Sequence, residues 1–516
     1  MEVYTPPAPI YGVNDDVLMC IFMLNGNMFF DSQALHTTRA TSQVCRQWRN
    51  LTLEAPLLWA KLIDMDICYR DRRLDWINEI FRRSGVAPLW IKAVNGRHIR
   101  RTDTDNIEKF IYDIVSKNWD RIQKLVVIDD STLESRCNLI FPMLRFPAPQ
   151  LENFTMLRTN HYSDRKIPPI KSLFSTHAPM IRTFRLAYVS VDHQDPWIRQ
   201  LHTMLLDSAY SIGIALTVLL VTNNLQELEI TDITYGDIAT SLPIAALPHL
   251  KYLKLCGEPT QHYATLLDHM KIPVSCSVII RMSYRHDHSR NAERRLQIER
   301  VFDVFIRRAE GYLKSHKFDA FHLDYKPRDY LTLKLIGKLP VECMLSISIP
   351  LYQDLVSMSL DRMYRRNLSS ATTFQLRTSG SLSPPSFRSF FERLTSVHTI
   401  RVDQISLRYL TSLQSSINAM KKPIIILPHL KVIHVFISDD THVFTVDEEF
   451  FLSRLKKGRP IKMLDISKGL PLTSPPNLNA LKLIKGLKVR YKLAQTRGIF
   501  EHTCGSGKPA NRVEIL

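Results

Sequence analysis

The stretch Pro428-His429-Leu430-Lys431-Val432-Ile433-His434-Val435 decides how the chain folds. Leu430, Ile433 and Val435 place one apolar residue ahead of two others, at plus three and plus five. The last two are two apart, so both side chains point to the same side of a short strand, and the first packs where the chain turns into it. The same spacing returns as Ile122, Leu125, Val127; Leu151, Phe154, Met156; Ile181, Phe184, Leu186; Leu225, Leu228, Ile230; and Leu250, Leu253, Leu255. Later copies are Val397, Ile400, Val402 and Ile461, Leu464, Ile466, with Ala371, Phe374, Leu376 as a degraded one in a region that otherwise fits poorly.

Successive copies lie mostly about 25 to 45 residues apart, the range of irregular solenoid repeats. Prolines 149, 179, 248 and 428 stand at strand starts, and helical stretches are read before strands at 201–222 and 297–315. Strand, crossover helix and strand again predict an α/β fold built as a leucine-rich-repeat-like stack, each unit burying its apolar side on its neighbours. A doubly wound sheet is the alternative, although no glycine-rich phosphate loop accompanies any strand.

Composition sets the outer limits. A hydrophobic content of 45 % with 23 % charged residues is that of a folded chain, since disordered ones lack the apolar surface to offset chain entropy. The net charge of +18 (68 basic, 50 acidic) is spread along the chain, and its densest cluster, residues 281–300, is interrupted by Asp287, Glu293 and Glu299. That distribution predicts solvated basic faces, with nucleic acid the weaker alternative. The eight cysteines form no Cys-x-x-Cys pair, as expected of reduced cysteines in an intracellular compartment, cytoplasmic or nuclear. No secretory signal is read at the N-terminus, and the most apolar window, Ile212–Val221, is about half the length that crosses a bilayer, so no membrane partner is expected.

Near the N-terminus the pattern is helical. Val17, Leu18, Ile21, Phe22 and Leu24 recur at spacings of three and four after the capping candidates Asn14, Asp15 and Asp16. A second short helix, capped by Asp31 or Ser32, carries Leu35. A third, over about 41–53, sets Val44, Cys45, Trp48 and Leu51 on one stripe. Three short helices bury little area alone, so Trp48 and Trp59 either fill a core shared with the neighbouring domain or leave a face for a partner.

The runs Val13-Asn14-Asp15-Asp16-Val17-Leu18-Met19-Cys20-Ile21-Phe22, Ser42-Gln43-Val44-Cys45-Arg46-Gln47-Trp48-Arg49 and Pro56-Leu57-Leu58-Trp59 together resemble an F-box, in the variant abundant in F-box proteins of mushroom-forming fungi. Arg82-Arg83-Ser84-Gly85-Val86-Ala87-Pro88-Leu89 resembles the segment after the F-box in those proteins. The resemblance implies an F-box-like domain over 10–62; the recurring triplets predict an irregular repeat domain over 63–500, and the polar, glycine-bearing end over 501–516 reads as a mobile tail. The resemblance further implies binding to Skp1 through Val17, Leu18, Ile21, Phe22, Val44, Cys45, Trp48, Leu57, Leu58 and Trp59. Through Skp1 the chain would join a cullin ubiquitin ligase, with an unidentified target on the repeats. One departure stands out, because the Leu-Pro that usually opens an F-box is Val13-Asn14 here.

No catalytic motif emerges, and neither a cofactor nor a metal is expected. The pair of histidines in His286-Asp287-His288 reads as a solvated loop. Gly505-Ser506-Gly507-Lys508 lacks the upstream glycine, the following Ser or Thr and the helix of a phosphate loop. A non-enzymatic adaptor is the reading these observations favour, with a ligase-independent scaffold as the alternative.

Overall fold

The computed structural model describes residues 12–66, 74–94, 104–129, 140–158, 172–234, 241–257, 261–282, 292–314, 316–326, 330–337, 343–350, 370–378, 385–419, 424–437, 448–494, 496 and 498–513. These form a mixed α/β protein with twelve α-helices among the described residues and mostly parallel strands. The chain divides into two compact units, Met1–Leu250 and Lys251–Leu516.

The first unit opens with four short helices, α1 (Asp15–Asn25), α2 (Ala34–Thr41), α3 (Arg46–Leu53) and α4 (Pro56–Ala60). Next come β1 (Ile63–Asp64), α5 (Leu74–Ser84), β2 (Leu89–Ala93), α6 (Thr104–Lys117), β3 (Ile122–Asp129), β4 (Asn153–Arg158), β5 (Thr183–Leu186), β6 (Thr203–Leu206), α7 (Ile212–Val221) and β7 (Glu227–Thr231). From β1 to β7 each strand pairs in parallel with the next in chain order. Backbone bonds tie the strand starts together: Glu152 N–H donates to Gln123 O, Arg182 to Glu152, His202 to Arg182 and Gln226 to His202, at 2.7 to 2.8 Å.

This ladder explains the spacing of the triplets. Every triplet residue, including Ala371, Phe374 and Leu376, is at most 2 % exposed. Residues between them, such as Thr155 and Arg185, face the other side of the sheet in register. On the apolar side Phe154 stacks on Phe184 at 5.8 Å, and Phe174 and Trp197 meet edge-on at 5.5 Å. Rings so placed add specific geometry to the area they bury.

The helix expected over 201–222 is not formed as such. Leu201, just before β6, and Met204 and Leu206 on it are a further fully buried triplet, and the helix starts only at Ile212. The Asp207 carboxylate accepts the backbone N–H groups of Tyr188 and Ala209, and Ser211 caps α7 by accepting from Ile214 N. A continuous apolar run fits both structures, and these polar residues separate them. Residues 212–221 form a helix with Ile212, Ala215, Leu216, Val218 and Leu219 buried.

The second unit contains β8 (Tyr252–Gly257), α8 (Gln261–Asp268), β9 (Ser277–Met282), α9 (Ala292–Leu313), β10 (Ala320–Lys326), β11 (Tyr330–Gly337), β12 (Cys343–Pro350), β13 (Thr373–Thr378), α10 (Pro385–Arg393), β14 (Thr399–Asp403), α11 (Gln404–Asn418), β15 (Val432–Phe436), α12 (Glu448–Lys456), β16 (Met463–Asp465), β17 (Lys488–Lys492), β18 (Ile499–Thr503) and β19 (Asn511–Val513). Their order is β8-β9-β12-β11-β10-β13-β14-β15-β16-β17-β18-β19. All pairs are parallel except β12-β11-β10 and β17-β18-β19, which are antiparallel. Phe387, Phe390 and Phe391 of α10 pack on Tyr325, Phe321 and Phe374 at 5.4 to 5.7 Å, so this helix covers the apolar face.

Two local features complete the second unit. Arg454 on α12 is fully buried, and its guanidinium donates to the carbonyls of Ile426 and Leu427 at 2.8 and 2.9 Å. Those bonds satisfy the loop that leads into β15. Residues 499–513, which include most of the stretch read from sequence as a tail, form the β18–β19 hairpin. Gly505-Ser506-Gly507-Lys508 is its connection, with Gly505 and Gly507 at positive φ.

Candidate functional site

The residues singled out in the N-terminal sequence fall on α1, α3, α4 and the link between α2 and α3. Asn14 accepts from Asp16 N at 3.0 Å and caps α1, and Asp15 and Asp16 sit in the first turn, where the helix dipole favours negative charge. A side-chain cap therefore stands where the usual Leu-Pro opening is missing. At the other end a Cβ on Gly26 would lie 2.4 Å from Leu58 Cδ1, which shows how closely α4 approaches the end of α1.

The third helix starts later than expected. Cys45 is extended (φ −155°, ψ 172°) and caps α3, its Sγ accepting from Trp48 N at 3.5 Å. Val44 and Cys45 consequently precede the helix and do not share a stripe with Trp48 and Leu51. Between α2 and Cys45 the chain is held by turn bonds, Gln43 N to Ala40 O and Val44 N to Thr41 O. Gln47 Nε2 donates to Asp15 Oδ1 at 2.6 Å, joining the start of α3 to the start of α1.

Burial divides the ten residues. Leu18, Phe22 and Leu58 are buried together with Ala55, and Val13, Met19, Met23, Trp48 and Leu51 pack around them. Phe22 meets Trp48 edge-on at 5.1 Å. Trp59 is fully buried: its Nε1 donates to Thr52 O at 2.7 Å, and the Arg83 guanidinium lies 4.4 Å from the ring centre. Cys45 and Trp48 are half-buried. Val17, Ile21, Val44 and Leu57 remain open, with exposures of 50, 43, 62 and 51 %.

Exposed apolar residues outside that set include Leu24, Phe30 and Leu53. Leu24 is 78 % exposed and lies beyond Val17 and Ile21 at the i, i+4, i+7 spacing of one helix face. That spacing was the available signal for it. Phe30, 92 % exposed in the link from α1 to α2, has no periodicity to mark it. Helix α1 thus buries one apolar face, Leu18 and Phe22, and presents a second, Val17, Ile21 and Leu24, to solvent. Gln47, three residues after Val44, is bonded to the start of α1, and Leu58, next to Leu57, meets Gly26 just past its end.

Elsewhere the described residues contain no group of three or more His, Cys, Asp or Glu able to hold a metal, and no helix long and apolar enough to cross a membrane. His286-Asp287-His288 lies outside the described residues. No protein-family model matches the chain, and no curated protein matches it.

Proposed function

We propose that the chain is a docking protein that performs no chemistry of its own. Within that class it is an F-box-like subunit, whose N-terminal helices bind a Skp1-like adaptor, and through it a cullin ubiquitin ligase, while a leucine-rich-repeat-like solenoid presents a target. Holding the target beside a charged ubiquitin-conjugating enzyme raises its effective concentration without a catalytic group from this chain.

The observation that carries the reading is the second apolar face of α1. Val17, Ile21 and Leu24 are exposed on a helix whose other apolar face, Leu18 and Phe22, is already buried, so they are available to a partner. Two further features support it: the F-box-like runs of sequence, and the chain-order parallel pairing from β1 to β7, which suits a repeat stack better than a doubly wound sheet that reverses its strand order.

Capture of purified Skp1 by the full-length chain tests the proposal. Wild-type protein is expected to retain Skp1, and Ile21→Asp with Leu24→Asp is expected to weaken capture at least about tenfold. Both side chains are exposed, so the unfolding midpoint should be unchanged. No capture by wild-type protein at about 10 µM Skp1 sinks the proposal and leaves a ligase-independent scaffold.

A further inference from the structure

We propose that His322, Lys334, Arg377 and Arg401, on the polar face of the second unit's sheet, form a binding site for a phosphate monoester. The register brings them together. His322 on β10 is directly opposite Lys334 on β11 and, on its other side, opposite Gln375 on β13. Gln375 in turn is opposite Arg401 on β14, and Arg377 lies two residues beyond Gln375, opposite Asp324. Neighbouring strands are about 4.8 Å apart, so the long side chains of Lys334 and Arg401 flank the imidazole and the Gln375 amide from opposite sides.

The site is charged and only partly compensated. Arg377 and Arg401 are exposed, and the side chains of Lys334, Arg377 and Arg401 make no ion pair or hydrogen bond among the described residues. Farther along the same row the charges are already matched: His434 bonds Asp465, and Lys488 and Arg490 pair with Glu501. Around His322 the cations are Lys334, Arg377 and Arg401, and the carboxylates nearby are Asp324 and Asp403. Asp403 is engaged as the cap of α11, accepting from Ser406 N at 2.7 Å. Three positive charges against two negative ones leave the local balance positive.

A phosphate monoester suits that positive balance, its oxygens accepting from guanidinium, ammonium, imidazole and amide donors together. Burial, and then the charges of Lys334, Arg401 and Arg377, hold the His322 imidazole down to about 4. The positive potential that disfavours its proton favours an anion. A nucleic-acid strand fits less well, because farther along the row Lys488 and Arg490 are already paired with Glu501 and offer no continuous track of free cations.

Fluorescence anisotropy of a labelled phosphoserine peptide with the full-length chain tests the site. Saturable binding is expected, with none to the unphosphorylated peptide and displacement by inorganic phosphate. Arg377→Gln and Arg401→Gln should each weaken binding roughly tenfold, with an unchanged unfolding midpoint because both residues are exposed. Binding of inorganic phosphate but not of the peptide supports the site and identifies a free phosphate as its source. The proposal is overturned if neither probe binds at millimolar concentration, or if the double variant binds as the wild type does. It is equally overturned if single-stranded DNA binds more tightly with a steep salt dependence. Skp1 capture does not enter these outcomes, so failure here leaves the adaptor proposal untouched.

Discussion

Asp465, at the end of β16, is almost fully buried yet stays ionised. His434 Nδ1 lies 3.0 Å from its Oδ2, and Oδ1 accepts from Ser467 N and Oγ at 3.0 and 2.6 Å. Burial by itself raises the pKa, but these bonds outweigh it and hold the carboxyl at about 2. An unfolded aspartate titrates near ~3.9, so the folded state binds this proton less readily. The contribution to stability is therefore complete above about pH 4 and is lost as pH falls through about 2. Asp465→Asn is expected to cost about 1 kcal/mol at pH 7, allowing for partial screening by solvent. The gap from wild type should close between pH 4 and 2, as read from urea unfolding at each pH. A gap that stays constant across that range refutes the assignment.

At the scale of elements, the close approach at Gly469 fastens the loop after β16 to the end of β15. A Cβ there would lie 2.3 Å from Ile437 N and 2.9 Å from Ile437 O, and Leu470 N donates to that same carbonyl at 3.1 Å. Backbone cannot rotate aside as a side chain would, so Gly469→Ala is expected to cost about 2 kcal/mol or more. Gly311→Ala in α9, where nothing lies within 4 Å, should instead stabilise by about 1 kcal/mol. Denaturant midpoints of the two variants moving in the same direction would contradict this account. The strands themselves were legible from sequence, because an apolar residue every second position has one solution on a half-buried sheet. Where the pattern was continuous, as at Leu201, Met204 and Leu206, period no longer separated strand from helix. Phe318, Phe321, Leu323 and Ile484, Leu487, Val489 share the same spacing and are buried, but they too went unread. The identical pentapeptides Leu247-Pro248-His249-Leu250-Lys251 and Leu427-Pro428-His429-Leu430-Lys431 were a stronger repeat signal than any triplet. In the candidate site, helical spacing located α1, but which of its two apolar faces is buried depends on Ala55 and Leu58, more than thirty residues away. The start of α3 hung on a cysteine acting as a cap, a role its residue type does not announce.

For the whole molecule, the net charge of +18 is not a property of one surface. In the second unit it is matched by carboxylates along β16 to β18 and only partly matched around His322, and register decides which. Within each unit, strands are held mainly by the strands beside them, so energetic effects of a core change should fall on its neighbours first. A row of parallel strands has no intrinsic end, since its last member always offers free amides and carbonyls to another chain. In the second unit that role falls to β17, and the reversal of direction at β18 ends the row. Cys504 N donates to Leu487 O at 2.8 Å and its carbonyl accepts from Gly486 N at 3.0 Å, clamping the hairpin down, and the outermost strand, β19, is only three residues long. The hairpin thus occupies the edge of β17 that another chain could otherwise extend. A chain stopped at residue 498 should associate increasingly with concentration in sedimentation velocity, while the full-length protein does not.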